Sequence, residues 1–91
     1  HVFQDWDGKA RVDWPEAGRA LLIEADELYR HLVVYVPPGR PFFCVEPVSM
    51  IGDGFNLLTD GVEGTGVRVL APGESMRGSM YFRPDPPKAA A

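Results

Sequence analysis

The chain has one cysteine, two histidines, no run of basic residues and no apolar stretch near the length of a bilayer-crossing helix. Each scarcity narrows the field. A lone Cys44 excludes an intrachain disulfide and any cysteine-rich metal site, and it fits a reducing, cytoplasmic compartment. Both signs of charge are dispersed and the net charge is −4, so nothing forms the electrostatic footprint of a nucleic-acid binder. No membrane span and no signal-peptide pattern are expected. Carboxylates recur at Asp5 and Asp7 and at Asp53 and Asp60, but neither set has calcium-loop spacing, and no metal is expected. Cys44 is read as a small core residue, because no His or Asp close in sequence marks it for activation.

What is present is turn chemistry between short apolar runs. Ninety-one residues suffice for one small domain, and a hydrophobic content of 45% is not that of a disordered chain. Ten glycines and nine prolines imply many turns, and turns separating short apolar runs imply an all-β chain. Residues 9–14 alternate, with Lys9, Arg11 and Asp13 on one side and Ala10, Val12 and Trp14 on the other. Pro15–Gly18 turns the chain, and residues 19–25 return as a second strand, an antiparallel hairpin. Asp26–Arg30 is a helical turn or a loop. His31–Val36 reads as a β-branched strand, Pro37–Pro41 as a rigid connection, and Phe42–Glu46 as the strand that closes a second hairpin. Residues 47–66 carry five glycines and little pattern, an unusually long loop. Gly66–Ala71 reads as a short strand. After the turn Pro72–Ser75, a strand with Met76, Gly78, Met80 and Phe82 as its core stripe runs to Arg83. Trp6 and Trp14 are read as core aromatics.

Phe42-Phe43-Cys44-Val45-Glu46-Pro47 concentrates the chemistry. An apolar strand runs into a carboxylate, and a proline is expected to stop it. Taken alone, Glu46 is either a partly dehydrated base at a pocket rim or a strand-end residue facing water. The long loop beginning after it either walls such a pocket or is a plain surface excursion.

Three pieces in order, Phe43-Cys44-Val45-Glu46-Pro47, Asp53-Gly54-Phe55-Asn56 and Leu70-Ala71-Pro72-Gly73-Glu74, resemble the carboxyl-terminal end of the aldose 1-epimerase (galactose mutarotase) family. The likeness extends upstream through Trp14-Pro15 and His31–Tyr35, and so covers most of residues 5–83. The resemblance implies a galactose mutarotase-like antiparallel β-sandwich, present here as its carboxyl-terminal part over residues 1–83, with 84–91 a disordered tail. The chain opens on His1 rather than Met, and the family's members are longer. A missing amino-terminal part of the same protein is therefore an expected partner, beside a monosaccharide substrate. With sandwich faces left uncovered, the isolated chain is expected to form a homodimer, aggregate or stay partly unfolded.

Mutarotation needs a base for the anomeric hydroxyl and an acid for the ring oxygen. In the family these are a glutamate and a histidine. The match carries the base to Glu46 and to no other residue, and needs no cofactor. The family's catalytic histidines lie upstream of the matching region. His31 is read as structural or edge-exposed and His1 as terminal and disordered, so the acid is expected outside this chain and the chain alone is expected to be inactive or nearly so. Asp53 and Asn56 are read as loop supports. Many family members carry Gln two residues after the glutamate; Val48 stands there and puts a sugar contact in doubt. Two alternatives remain open. One is a non-catalytic carbohydrate-binding β-sandwich. The other is a hexose-6-phosphate mutarotase, for which Arg40, Arg68 and Arg77 are available though nothing in the sequence gathers them.

Overall fold

The computed structural model describes residues 1–85. In chain order they form β1 (Val2–Phe3), β2 (Lys9–Trp14), a 3-10 turn (Pro15–Ala17), β3 (Arg19–Ala25), β4 (His31–Tyr35), β5 (Cys44–Val48), α1 (Gly54–Thr59) and β6 (Met80–Asp85). The strands make two antiparallel three-stranded sheets, one in the order β1-β4-β5 and one in the order β2-β3-β6. The described chain is thus mostly β, as its turn-rich composition implies.

The first hairpin follows from local chemistry. Lys9–Trp14 pairs with Arg19–Ala25 in a register from Lys9 opposite Glu24 to Trp14 opposite Arg19. Pro15 opens the turn, and Gly18 closes it in the left-handed region (φ 64°), its N–H donating to the carbonyl of Pro15 at 3.1 Å. β6 then joins the free edge of β3, placing Arg83 opposite Leu22 and Met80 opposite Ala25. Arg11 reaches across this sheet to Asp85 at 2.6 Å and also pairs with Asp13 at 3.0 Å. The hydrogen bond to Asp85, and then those to Asp13, hold the guanidinium above its ordinary pKa although desolvation opposes them.

In the other sheet β4 is central. β1, which no sequence pattern announced, pairs Val2 with Val33 and Phe3 with Leu32. His1, expected to be disordered, is held there: its ammonium donates to the carbonyl of Val34 at 2.7 Å, and its ring lies 4.5 Å from that of Phe3. β5 starts at Cys44 instead of Phe42 and does not stop at its proline. Pro47 is buried within the strand, opposite Leu32. β5 is an edge strand, where a residue without an N–H is tolerated.

The long segment after β5 holds a helix that periodicity missed. α1 is only six residues, too short to show a repeat. It ends in a Schellman motif, with Gly61 (φ 80°) donating to Leu58 at 3.0 Å and Val62 donating to Leu57 at 2.9 Å. Two expected strands are absent or shortened. Residues 66–71 form none, and Val69 is 83% exposed. The last strand begins at Met80, opposite Ala25 where β3 ends. The turn at Pro72–Ser75 forms, with Glu74 donating to the carbonyl of Ala71 at 3.0 Å. Pro84 and Asp85, assigned by sequence to the tail, are the end of β6. The rest of that segment lies outside the described residues.

The core is thin. Ala20, Ile23, Leu32 and Ile51 are its buried hydrophobic residues, whereas Phe42, Phe43, Tyr81 and Phe82 are all exposed. Phe82 at 53% exposure departs from the core stripe expected of its strand. The radius of gyration is 16.3 Å, against about 12 Å for a compact domain of this length. The two sheets meet along an open apolar groove lined by Val12, Trp14, Ile23, Phe43, Val45 and Phe82, and not across a filled interior. Among the described residues no helix is long and apolar enough to cross a membrane.

Candidate functional site

β5 carries Glu46 at its midpoint, opposite Val33 on β4. Alternation puts Glu46 on the same side as Cys44 and Val48, while Val45 takes the other side and lines the inter-sheet groove. Glu46 therefore projects from the outer face of the sheet, away from the core. It is exposed, accepts no hydrogen bond and makes no ion pair with the described residues, and lines none of the five main concavities. Within these residues the expected pocket rim is absent, and the face is open.

That outer face has an unusual make-up. The row through Glu46 runs Val2, Val33, Glu46; the flanking rows are Tyr35 with Cys44 and His31 with Val48. A sheet face turned to water is ordinarily polar. Here one uncommitted carboxylate stands among valines, a tyrosine and a cysteine, with Val33, Cys44 and Val48 half-buried.

His31 shares that face diagonally from Glu46 but is not free. It is 2% exposed, and its Nδ1 accepts the backbone N–H of Asp5 at 3.3 Å. β4 is the central strand, so His31 is structural rather than edge-exposed. Trp6 is part of the same brace, its indole donating to the carbonyl of Tyr29 at 2.6 Å.

Asp53 and Asn56 come together. The Asn56 Nδ2 donates to Asp53 Oδ1 at 2.7 Å. Asp53 precedes α1 in the left-handed region (φ 60°), and its side chain caps no helix N–H. The pair holds the start of the helix by a side-chain bond and not by the turn to backbone that short polar residues usually make. Both are exposed. Among the described residues no group of three His, Cys, Asp or Glu side chains gathers as a metal site.

The fold also assembles a cluster that sequence did not gather. Arg68 and Arg77 line one open cleft of about 630 Å³ together with Arg30, Asp26 and Glu27. Arg40 is not part of it and sits in the β4–β5 connection. Three loops far apart in sequence meet here, so no spacing rule would have found it.

The chain is similar to the uncharacterized protein YphB of Escherichia coli (strain K12), with 31% identity over 88 residues. The alignment takes in 89% of this chain and 29% of YphB, so the chain spans under a third of the length of that curated relative. No protein-family model matches the chain, and no solved structure matches it.

Proposed function

We propose that this chain is one portion of an aldose 1-epimerase-like β-sandwich and supplies the general base, Glu46, for interconverting the α and β anomers of free aldohexoses. The observation that carries the reading is the outer face of the β1-β4-β5 sheet: an accessible, uncommitted carboxylate surrounded by apolar side chains. Both faces of β4 and β5 are rich in apolar residues, the pattern of strands covered on both sides. Once a further part of a longer protein covers that face, Glu46 stands in the wall of a pocket instead of on a surface. Exclusion of water and fixed geometry then make an ordinary carboxylate an effective base.

The chemistry is a balanced pair of proton transfers. Glu46 takes the proton of the C1 hydroxyl while an acid from outside this chain protonates the ring oxygen. The bond from C1 to the ring oxygen breaks and leaves the open-chain aldehyde. Rotation about C1–C2 presents the other carbonyl face, and the reverse transfers close the opposite anomer. Asp53 and Asn56 act on the loop beyond β5, stabilising its start instead of touching sugar.

A second reading, a carbohydrate-binding sandwich without catalysis, is favoured by one observation: Glu46 lines no concavity among the described residues. Assay of the full-length parent against a panel of pure aldose anomers separates the two. Accelerated anomerisation supports the enzyme; sugar binding without acceleration supports the binding domain.

A further inference from the structure

The cleft of Arg30, Arg68 and Arg77 stands apart from Glu46 and carries a separate argument. The whole chain bears a net charge of −4, yet this wall sets three guanidinium groups against two carboxylates. The two carboxylates offset part of that charge and leave an excess of one, but neither forms an ion pair with an arginine. Asp26 is spent on the backbone: its Oδ1 accepts the N–H of Leu28 at 3.1 Å and its Oδ2 the N–H of Ser79 at 2.8 Å. Glu27 accepts no hydrogen bond, and the ion pairs among the described residues are both made by Arg11. Arg30, Arg68 and Arg77 are therefore left with their forks of donors unpaired beside a shared concavity.

The walls that hold them are built. Trp6 donates its backbone N–H to the carbonyl of Arg30 at 3.0 Å. Gly66, two residues before Arg68, lies so close to the carbonyl of Ser49 that a β-carbon would collide with it. Gly78, beside Arg77, leaves room for only 2.5 Å between an added β-carbon and Leu28. Backbone contacts at Arg30 and Gly66, and side-chain packing of Leu28 and Tyr29 against Gly78, thus fix where the arginines leave the chain.

We infer that this cleft binds the phosphate group of a small molecule, with Arg30, Arg68 and Arg77 as its donors. Arginine forks match the oxygens of such a group, and a phosphate offers an oxygen to each of the three guanidinium groups where a carboxylate has only two. The site does not depend on the mutarotase reading, since it requires neither Glu46 nor a sugar ring.

The test is an NMR titration of the full-length parent, observed at labelled arginine and glycine sites, with inorganic phosphate at low, constant ionic strength and with acetate and chloride as comparison arms. Saturable shifts at Gly66, Arg68, Arg77 and Gly78 with phosphate, and weaker or linear ones with acetate and chloride, are expected. The variant carrying R68Q and R77Q should weaken phosphate binding by about tenfold or more. A second variant guards against mere misfolding: Glu27→Gln removes an opposing charge and should tighten binding by about threefold. Non-saturable shifts with phosphate, equal responses to acetate, or no tightening in E27Q would overturn the assignment.

Discussion

Ile23 carries more packing than any other side chain on β3. It is 2% exposed on the central strand of its sheet, facing Ala10 on one side and Phe82 on the other. With so few buried hydrophobic residues, its loss finds little to compensate it. Ile23→Ala is expected to destabilise the chain by about 2–4 kcal/mol in chemical denaturation, through lost burial and the cavity left behind. Glu46 is the contrasting residue. It is exposed and unpartnered, so Glu46→Gln should shift stability by no more than about 0.5 kcal/mol in the same experiment. That neutrality would make a loss of activity in the variant a statement about chemistry. At this scale the sequence was legible where a residue's neighbours in the chain decide its role, as with Gly18 in its turn. It was silent where distant contacts decide. Nothing near His31 announced that the N–H of Asp5, on an unanticipated amino-terminal segment, would bury and hold its ring.

Among the elements, the β2–β3 hairpin formed as alternation and turn residues predicted, residue for residue. β5 kept its expected hairpin partner β4, and both β5 and β6 moved their ends, because ladder partners and not propensity set where a strand begins. Pro47 looked like a terminator from sequence and is tolerated because β5 lies at a sheet edge, a fact of topology. The entry to β6 hangs on one residue. Asp26 accepts the N–H of Ser79 with its carboxylate and donates its own N–H to the carbonyl of Ser79 at 3.1 Å. Asp26→Ala returns the exposed N–H groups of Leu28 and Ser79 to water and should cost about 1 kcal/mol. In hydrogen exchange the loss should appear first as weakened protection at Met80 and Tyr81, with the β2–β3 ladder retained. Equal loss of protection across both sheets would contradict a local clamp.

For the whole molecule, the governing feature is incomplete burial. Aromatic and aliphatic side chains are exposed on both sheets, and the dimensions of 52 × 31 × 20 Å are those of an open arrangement. Apolar surface of this kind drives association. The isolated 10.0 kDa chain is expected to sediment above monomer mass, increasingly so with concentration. A concentration-independent monomer would contradict this. The matched segment is 29% of YphB, so that similar protein is more than three times as long as this chain. The most direct measurement of the central proposal is polarimetry of pure α-D-glucose with the full-length parent and its Glu46→Gln variant. The parent is expected to accelerate the approach to anomeric equilibrium, and the variant to lose about a hundredfold or more of that rate while folding normally. A folded variant that equilibrates glucose as fast as the parent would remove Glu46 from the chemistry.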